Sequence, residues 1–439
     1  MAIVTHIADA LTTLFTKADE LALTTGFIKR QRKITGSNFL KTLLFAWMPK
    51  AAPSVESIAR TGFTHHLRIS AQGIEQRLTK SAGDFLKTVI GHIVTEKINA
   101  DDPVNIEILG RFTVVYATDG SKITLPNELK EQYPGTGGTN GSNQAALKMD
   151  VCIELRSGKI ECGILSGRDS DNHSPIAEKS YEKGALHLRD LGYFNLPRMK
   201  QQSERGEYWI SRLFPNTKIY TTNCQYIDLE DYLFNLPQTQ CLFDIDVLVG
   251  KTEQVKSRLV IARLPQAAAS KRRAKLKENA RKHGRTPTAR NLALCDWGLY
   301  ISNVEREKLT TKECLQLYRV RWQIELLFKL WKTHNQIDQS RSKKHGRILC
   351  EIYIKLLVVL IQHWILLTGL WDIPQRSLVK GTQLIKEQTA RFAEAVEDKS
   401  KLIMFLLDMS KRFKHGCSLN KRRTNPNTVD QLLACLPFS

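Results

Sequence analysis

Apolar and polar positions along this chain recur with two periods, and the switches between them divide it into regions. Up to about residue 105 the apolar positions recur every three or four residues, as in Ile7, Leu11, Leu14 and Phe15, then Phe39, Leu43, Leu44 and Trp47. That spacing predicts amphipathic helices. Ser54 to Leu78 reads as short helices joined at Thr61-Gly62, a layout compatible with a helix-turn-helix. Near Pro103 the character changes. Arg111 to Asp119 predicts a strand ending in Asp119-Gly120-Ser121, and a Gly-rich loop follows from Pro134 to Gly141. Ala146 to Leu155 and Lys159 to Leu165 predict two strands joined at Arg156-Ser157-Gly158. Another strand, beginning near Gly184, ends in Asp190. Further strands are predicted at Tyr208–Phe214, Cys241–Val249, Ser257–Arg263 and Trp297–Asn303. After about residue 370 the helical period returns.

The most informative pattern runs from Tyr318 to Lys332. At ~100° per residue, Tyr318, Arg321, Trp322, Glu325, Lys329 and Lys332 share one side of a helix. Leu317, Val320, Ile324, Leu327, Phe328 and Trp331 form an apolar stripe on the other. Such a helix buries one face and offers a carboxylate among cations and aromatics on the other. Many amphipathic helices carry a charged face that meets only water, so the pattern gains meaning from its surroundings.

Composition supplies part of that context. The 439 residues hold 65 Lys and Arg against 44 Asp and Glu, a formal charge of +21. This excess points to a polyanion, with nucleic acid ahead of an anionic membrane. The nine cysteines include no Cys-x-x-Cys pair, so reduced thiols are expected rather than a structural zinc site. Ile352 to Leu370 is the most apolar stretch, but Lys355, Gln362 and His363 interrupt it. It is expected to be a buried helix and not a membrane span, in a cytoplasmic protein.

Asp119 and Asp190 each end an apolar strand, close before a glycine. Taken singly, Asp119 reads as a turn residue and Asp190 as a strand-end cap. Together with Glu325 on the polar helix face they suggest a site, because strand-end acids in an α/β domain lie where ligands bind. Three converging carboxylates call for neutralisation, which two Mg²⁺ ions (or Mn²⁺) about 3.5–4 Å apart provide.

The spacing Tyr318-x2-Arg321-x3-Glu325-x6-Lys332 resembles the Tyr-Arg-Glu-Lys signature of a large group of bacterial insertion-sequence transposases. Asp119-Gly-Ser is similar to that group's first aspartate motif, and Leu188-Arg-Asp190-Leu-Gly-Tyr-Phe194 to its second. Trp297 to Asn303 resembles the strand closing its β-rich insertion. The resemblance implies an α/β, RNase H-like catalytic core with Asp119, Asp190 and Glu325 as catalytic, metal-binding residues. It implies cut-and-paste transposition through a DNA hairpin, by a homodimer that brings inverted-repeat ends together. Tyr318, Arg321 and Lys332 match the residues that hold phosphates, with Lys329 beside them, and Trp297 matches an aromatic set against a flipped base. Trp322 is a second candidate for base contact or a packed helix residue.

The expected organisation is a helical DNA-binding region at 1–105, a core at 106–204 and 295–370, a β-rich insertion at 205–294 and a helical region at 371–439. Basic clusters add candidate DNA contacts at Arg30, Arg32, Lys271, Arg272, Arg273 and Lys275, with Lys421-Arg-Arg423 near the C-terminus. The alternatives are an inactive DNA-binding regulator of the element and a plain RNase H-like nuclease.

Overall fold

A computed structural model describes residues 2–30, 32–136, 145–169, 171, 174–340 and 342–420. Part of the Gly-rich loop and Lys421-Arg-Arg423 lie outside these residues. The described chain falls into two compact units. One comprises the described parts of Met1–Asn105, Gly120–Asp169 and Gln323–Asn425; the other includes Ile106–Asp119 and Ser170–Trp322.

The strands are β1 (Val115–Leu125), β2 (Ala145–Glu154), β3 (Ile160–Ser166), β4 (Leu186–Arg189), β5 (Tyr208–Arg212), β6 (Ile219–Tyr220), β7 (Tyr226–Ile227), β8 (Leu242–Val249), β9 (Val255–Arg263) and β10 (Trp297–Ser302). They form a mixed sheet in the order β3-β2-β1-β4-β5-β10-β9-β8-β6-β7. The fold is thus α/β, with helical segments toward both termini, as expected.

In the first unit, β2 and β3 make the predicted antiparallel hairpin. The helix His345–Leu367 is the centre of the packing, with every residue from Ile348 onward buried. It is long and apolar enough to cross a membrane, yet its apolar window is wholly buried inside the protein. Its polar interruptions are only partly satisfied internally, since among the described residues Gln362 Nε2 and His363 Nδ1 have no hydrogen-bond partner. Lys355 Nζ donates to the Gln336 and Gln339 carbonyls at 3.1 and 2.7 Å, and the His363 ring bonds the Gly158 carbonyl at 2.7 Å. Without such partners each buried polar group costs about 1–3 kcal/mol. Gly346 permits a close approach at the start of this helix, where a Cβ would lie 2.6 Å from the Lys80 nitrogen.

In the second unit, β1, β4 and β5 run parallel, and β5, β10, β9 and β8 continue antiparallel. β5 therefore belongs by hydrogen bonding to the parallel run. The apolar alternation of β8, β9 and β10 produces a core of Trp209, Leu213, Val247, Val249, Leu259, Ile261 and Ile301. Two expectations are corrected here. β1 does not stop at Asp119 but runs to Leu125, because Ile123 and Leu125 continue the buried alternation. The predicted single helix is two, Thr311–Val320 and Trp322–His334, joined at Arg321, which keeps helical dihedral angles.

Candidate active site

The register of β1 on β4 decides the position of two acids. Thr118 pairs with Arg189 in the last parallel step, so Asp119 and Asp190 are the next residues on adjacent strands. Neighbouring strands lie about 4.8 Å apart, and residues matched in register point to the same side. Asp119 is thus not a turn residue; it sits where β1 runs beyond the end of β4. Asp190 opens the short 3₁₀ turn Leu191–Tyr193, but its side chain makes no capping hydrogen bond there. Both acids are half-buried.

The helix Thr311–Val320 begins with a capping box between Thr310 and Glu313. Its far end supplies two groups to the acids. Arg321 Nη1 stands 3.5 Å from Asp119 Oδ2. The Tyr318 hydroxyl donates to the Arg189 carbonyl at 3.3 Å, immediately before Asp190. The sequence put Tyr318 on the polar face, whereas the structure buries it at 7% exposure. Its ring packs edge-on against Tyr300 at 5.1 Å, so only the oxygen needs a polar partner. Burial pushes the phenol well above its ordinary pKa, with Arg321 pulling down and Asp190 pushing up. A phenol so placed is a poor source of phenolate.

Sequence reasoning missed a polar assembly beneath β4. His187 and Glu207 are almost wholly buried, with His187 Nε2 2.9 Å from Glu207 Oε2. Arg189 Nη2 lies 3.4 Å from His187 Nδ1. A guanidinium only donates, so Nδ1 accepts and Nε2–H donates to the carboxylate: the ring is the neutral Nε2–H tautomer. Burial, then the Arg189 charge, lowers the His187 pKa to about 4. Burial alone would raise Glu207, but hydrogen bonds from His187 and Arg205 outweigh it and hold the carboxyl at about 2. Arg205 Nε donates to Glu207 at 2.6 Å and Gln202 Nε2 at 3.3 Å. The only sequence signal was an acid, Glu207, at the mouth of an apolar strand.

The second predicted cluster surrounds the start of β10. Trp297 is 8% exposed and packed in the sheet core, with the Arg263 guanidinium over its ring at 4.3 Å. The expected base-stacking face is therefore covered. Trp322 has the opposite setting, 52% exposed directly after Arg321. On the helix Gln266–Lys282, Arg272 donates to the Trp297 carbonyl at 2.8 Å and Arg273 pairs with Asp296. Lys271 and Lys275 are exposed.

The remaining residues belong to the other unit. Glu325 is half-buried and Lys329 exposed on the helix Trp322–His334. Lys332 Nζ donates to the Lys122 carbonyl at 3.2 Å. Arg30 and Arg32 are exposed between the first two helices. Among the described residues no group of three or more His, Cys, Asp or Glu is gathered closely enough to hold a metal. What the geometry brings together is a pair, Asp119 and Asp190. Two partly exposed carboxylates suit the hard-oxygen preference of a divalent cation such as Mg²⁺.

An acid within β1 paired with one at the end of β4, with an arginine and a tyrosine fixed beside them, marks a class of protein. A family model described as the transposase DDE domain matches residues 110–361, and the chain belongs to that family, whose members are enzymes acting on DNA. The domain implies dependence on divalent metal. More particularly, the chain is similar to the transposase for insertion sequence element IS231F of Bacillus thuringiensis subsp. israelensis. The two are 29% identical over 362 residues, covering 78% of this chain and 76% of that protein. The transposase for IS1151 of Clostridium perfringens is 27% identical over 370 residues, covering 80% and 78%. The transposase for IS421 of Escherichia coli is 22% identical over 368 residues, covering 82% and 92%.

Proposed function

We propose that this protein is the transposase of an insertion sequence, which cuts and joins the ends of its element by phosphoryl transfer. The observation that carries this reading is the β1–β4 register, which sets Asp119 beside Asp190 with Arg321 against the first. Glu325, four residues past Arg321, is proposed as the third carboxylate. These carboxylates would hold a pair of Mg²⁺ or Mn²⁺ ions, which when bound would supply nucleophile activation and stabilisation of the leaving oxygen.

The chain's own groups do the rest. Arg321 balances the negative charge of Asp119 and is suited to a bidentate grip on a DNA phosphate. Tyr318, through its hydrogen bond to the Arg189 carbonyl, holds the end of β4 against the helix. Lys329 and Lys332 are proposed to meet the DNA backbone, and Trp322 to stack on a base withdrawn from the duplex. Such stacking is worth about 1–3 kcal/mol. The proposed product sequence is a nicked end, a hairpin and a joined target, made by a homodimer holding two inverted-repeat ends. The reading includes a cytoplasmic location beside the chromosome.

The test is incubation with DNA carrying the element's ends and MgCl₂. Nicks, hairpins and joined products that vanish in Asp119→Asn, Asp190→Asn and Glu325→Gln support the reading. Binding without cleavage in wild type would identify a regulator, and cleavage without hairpin or joining a nuclease. A protein–DNA adduct through Tyr318, lost in Tyr318→Phe, would replace the mechanism with that of a tyrosine recombinase.

A further inference from the structure

We propose that His187 is a positioning residue for the reaction, acting on Asp190 through Arg189 and anchored by the buried carboxylate of Glu207. The inference rests on the assignment of Asp190 to the active site. Three observations carry it.

The first is location. His187 and Arg189 alternate with Asp190 on β4 and its continuation, so they lie on the face opposite the acid pair. Arg189 is the residue immediately before Asp190, and it is 6% exposed. Its carbonyl receives the Tyr318 hydroxyl, while its guanidinium reaches the His187 ring. One residue thus ties the tip of β4 in two directions, toward the helix that bears Arg321 and toward the strand's underside.

The second is connectivity. The chain of contacts runs from Arg205 to Glu207, to His187, to Arg189. Further contacts fix its inner members. The Tyr181 backbone N–H meets Glu207 Oε1 at 3.4 Å. The Tyr181 and Tyr116 rings close on His187 with centroids at 4.9 and 5.7 Å. Asn303, at the end of β10, donates to the Glu207 carbonyl at 2.8 Å and accepts from the Trp209 N–H at 2.8 Å. Among the described residues, the charged and titratable groups around His187 include Arg189, Glu207, Arg205, Tyr181 and Tyr116, with Arg198 lining the same small cavity.

The third is cost. A carboxylate with no exposed side-chain surface is expensive to bury, and an apolar pair of similar volume often serves stability as well or better. Placed under the strand tip, the pair gives orientation that an apolar substitute cannot. Groups that orient metal-binding carboxylates typically change metal affinity or activity by 10–100-fold when removed. A neutral imidazole here accepts from Arg189 and donates to Glu207 at once, which a glutamine amide also does and a phenylalanine ring does not.

The experiment compares full-length His187→Gln and His187→Phe with wild type. Three quantities are read: Mn²⁺ binding to the DNA-free protein by calorimetry, MgCl₂ dependence of end cleavage, and affinity for end DNA in Ca²⁺. His187→Phe should weaken Mn²⁺ binding and raise half-saturating MgCl₂ by about tenfold, with DNA affinity within about twofold of wild type. His187→Gln should restore both metal readouts to within about threefold. Unchanged metal binding in a folded His187→Phe, with cleavage falling only in proportion to folded protein, would overturn the proposal. If His187→Phe does not fold, Arg205→Gln at the partly exposed end of the chain replaces it. A rise of about twofold in half-saturating metal is then expected, and no rise counts against the proposal. Asp190→Asn is the control: were it to cleave normally, the site assignment itself would have failed, whatever His187 does.

Discussion

The tip of β4 and the start of β10 lie in one compact unit, and both drew attention in the sequence as places where DNA would be handled. They spend their polar groups in opposite ways. Beneath β4, His187, Glu207 and Arg189 are buried, and Asp119, Asp190 and Arg321 remain partly open. At β10 the cations serve the protein: Arg263 covers Trp297, Arg272 holds the Trp297 carbonyl and Arg273 pairs with Asp296. A basic run in a sequence is a count of charges. Whether a charge is offered to a ligand depends on what has already claimed it.

The largest effect that tests this contrast is loss of either acid at the β4 tip. Asp119→Asn or Asp190→Asn should reduce end cleavage by about a thousandfold or more, as for removal of a group that acts chiefly in the transition state. Thermal stability should stay near wild type, since both acids are half-exposed. Denaturation scans and single-turnover cleavage measure the two sides. A variant that cleaves within about tenfold of wild type would remove that acid from the site.

The tryptophans give the next largest effect and the cleanest separation. Trp297→Ala opens a hole in a packed core and should cost about 3–5 kcal/mol in chemical denaturation. Trp322→Ala removes an exposed ring and should leave denaturation nearly unchanged. It should instead slow hairpin formation, by roughly the 1–3 kcal/mol of one base stack. If Trp297→Ala were as stable as wild type and Trp322→Ala were inert on DNA, the two assignments would have to be exchanged.

Much of this was legible before any coordinates, for a physical reason. The apolar positions Leu317 and Val320 on the helix Thr311–Val320, and Ile324, Leu327, Phe328 and Trp331 on the helix Trp322–His334, are all buried, because a 3.6-residue period gives each helix an apolar face to turn inward. The hairpin of β2 and β3 was equally plain from its turn. Contacts between segments distant in sequence were not legible. Nothing near Asp119 says that β1 continues past it, since that depends on the partners available to Ile123 and Leu125. Tyr318 reads as polar by helical angle alone, yet Tyr300 covers its ring. His187 and Glu207 are joined across β4 and the entry to β5, and a lone histidine in an apolar strand carries no sign of its partner. Trp297 matched a motif, but Arg263, which covers its ring, came from another strand. The third carboxylate, Glu325, had its helix and face read from periodicity, while its partnership with the two aspartates remains a proposal.

Acid should sharpen the difference between the regions. The His187 pKa is lowered to about 4 in the folded protein, against 6.5 for an ordinary histidine. Below pH 6.5 the unfolded chain takes a proton that the folded chain refuses until about pH 4. Stability is therefore intact above 6.5 and drains as pH falls through that window, by about 3 kcal/mol in total. His363, in the other compact unit, is lowered to about 4 as well and adds a loss of the same sign. Comparison of wild type with His187→Gln isolates the β4 contribution. Urea denaturation at pH 7, 6 and 5 should show a shallower decline in the variant. Identical declines would mean that His187 takes up its proton in the folded state.

The smallest effect falls on the helix Gln266–Lys282, where the comparison is between neighbours on one element. Lys271 and Lys275 face solvent, whereas Arg272 and Arg273 bond the β10 region. If the exposed pair tracks the DNA backbone, each lysine neutralises about one phosphate. Replacing both with alanine then reduces the slope of log affinity against log salt by about two. The loss should be the same for end DNA and unrelated DNA, because a phosphate contact carries no base information. Arg272→Ala should act through stability instead, by leaving the Trp297 carbonyl without its donor. Fluorescence anisotropy across a salt series, beside denaturation of each variant, separates the two. An unchanged slope in the double lysine variant would make this helix a solvated face, and the protein's excess of positive charge would have to meet DNA elsewhere.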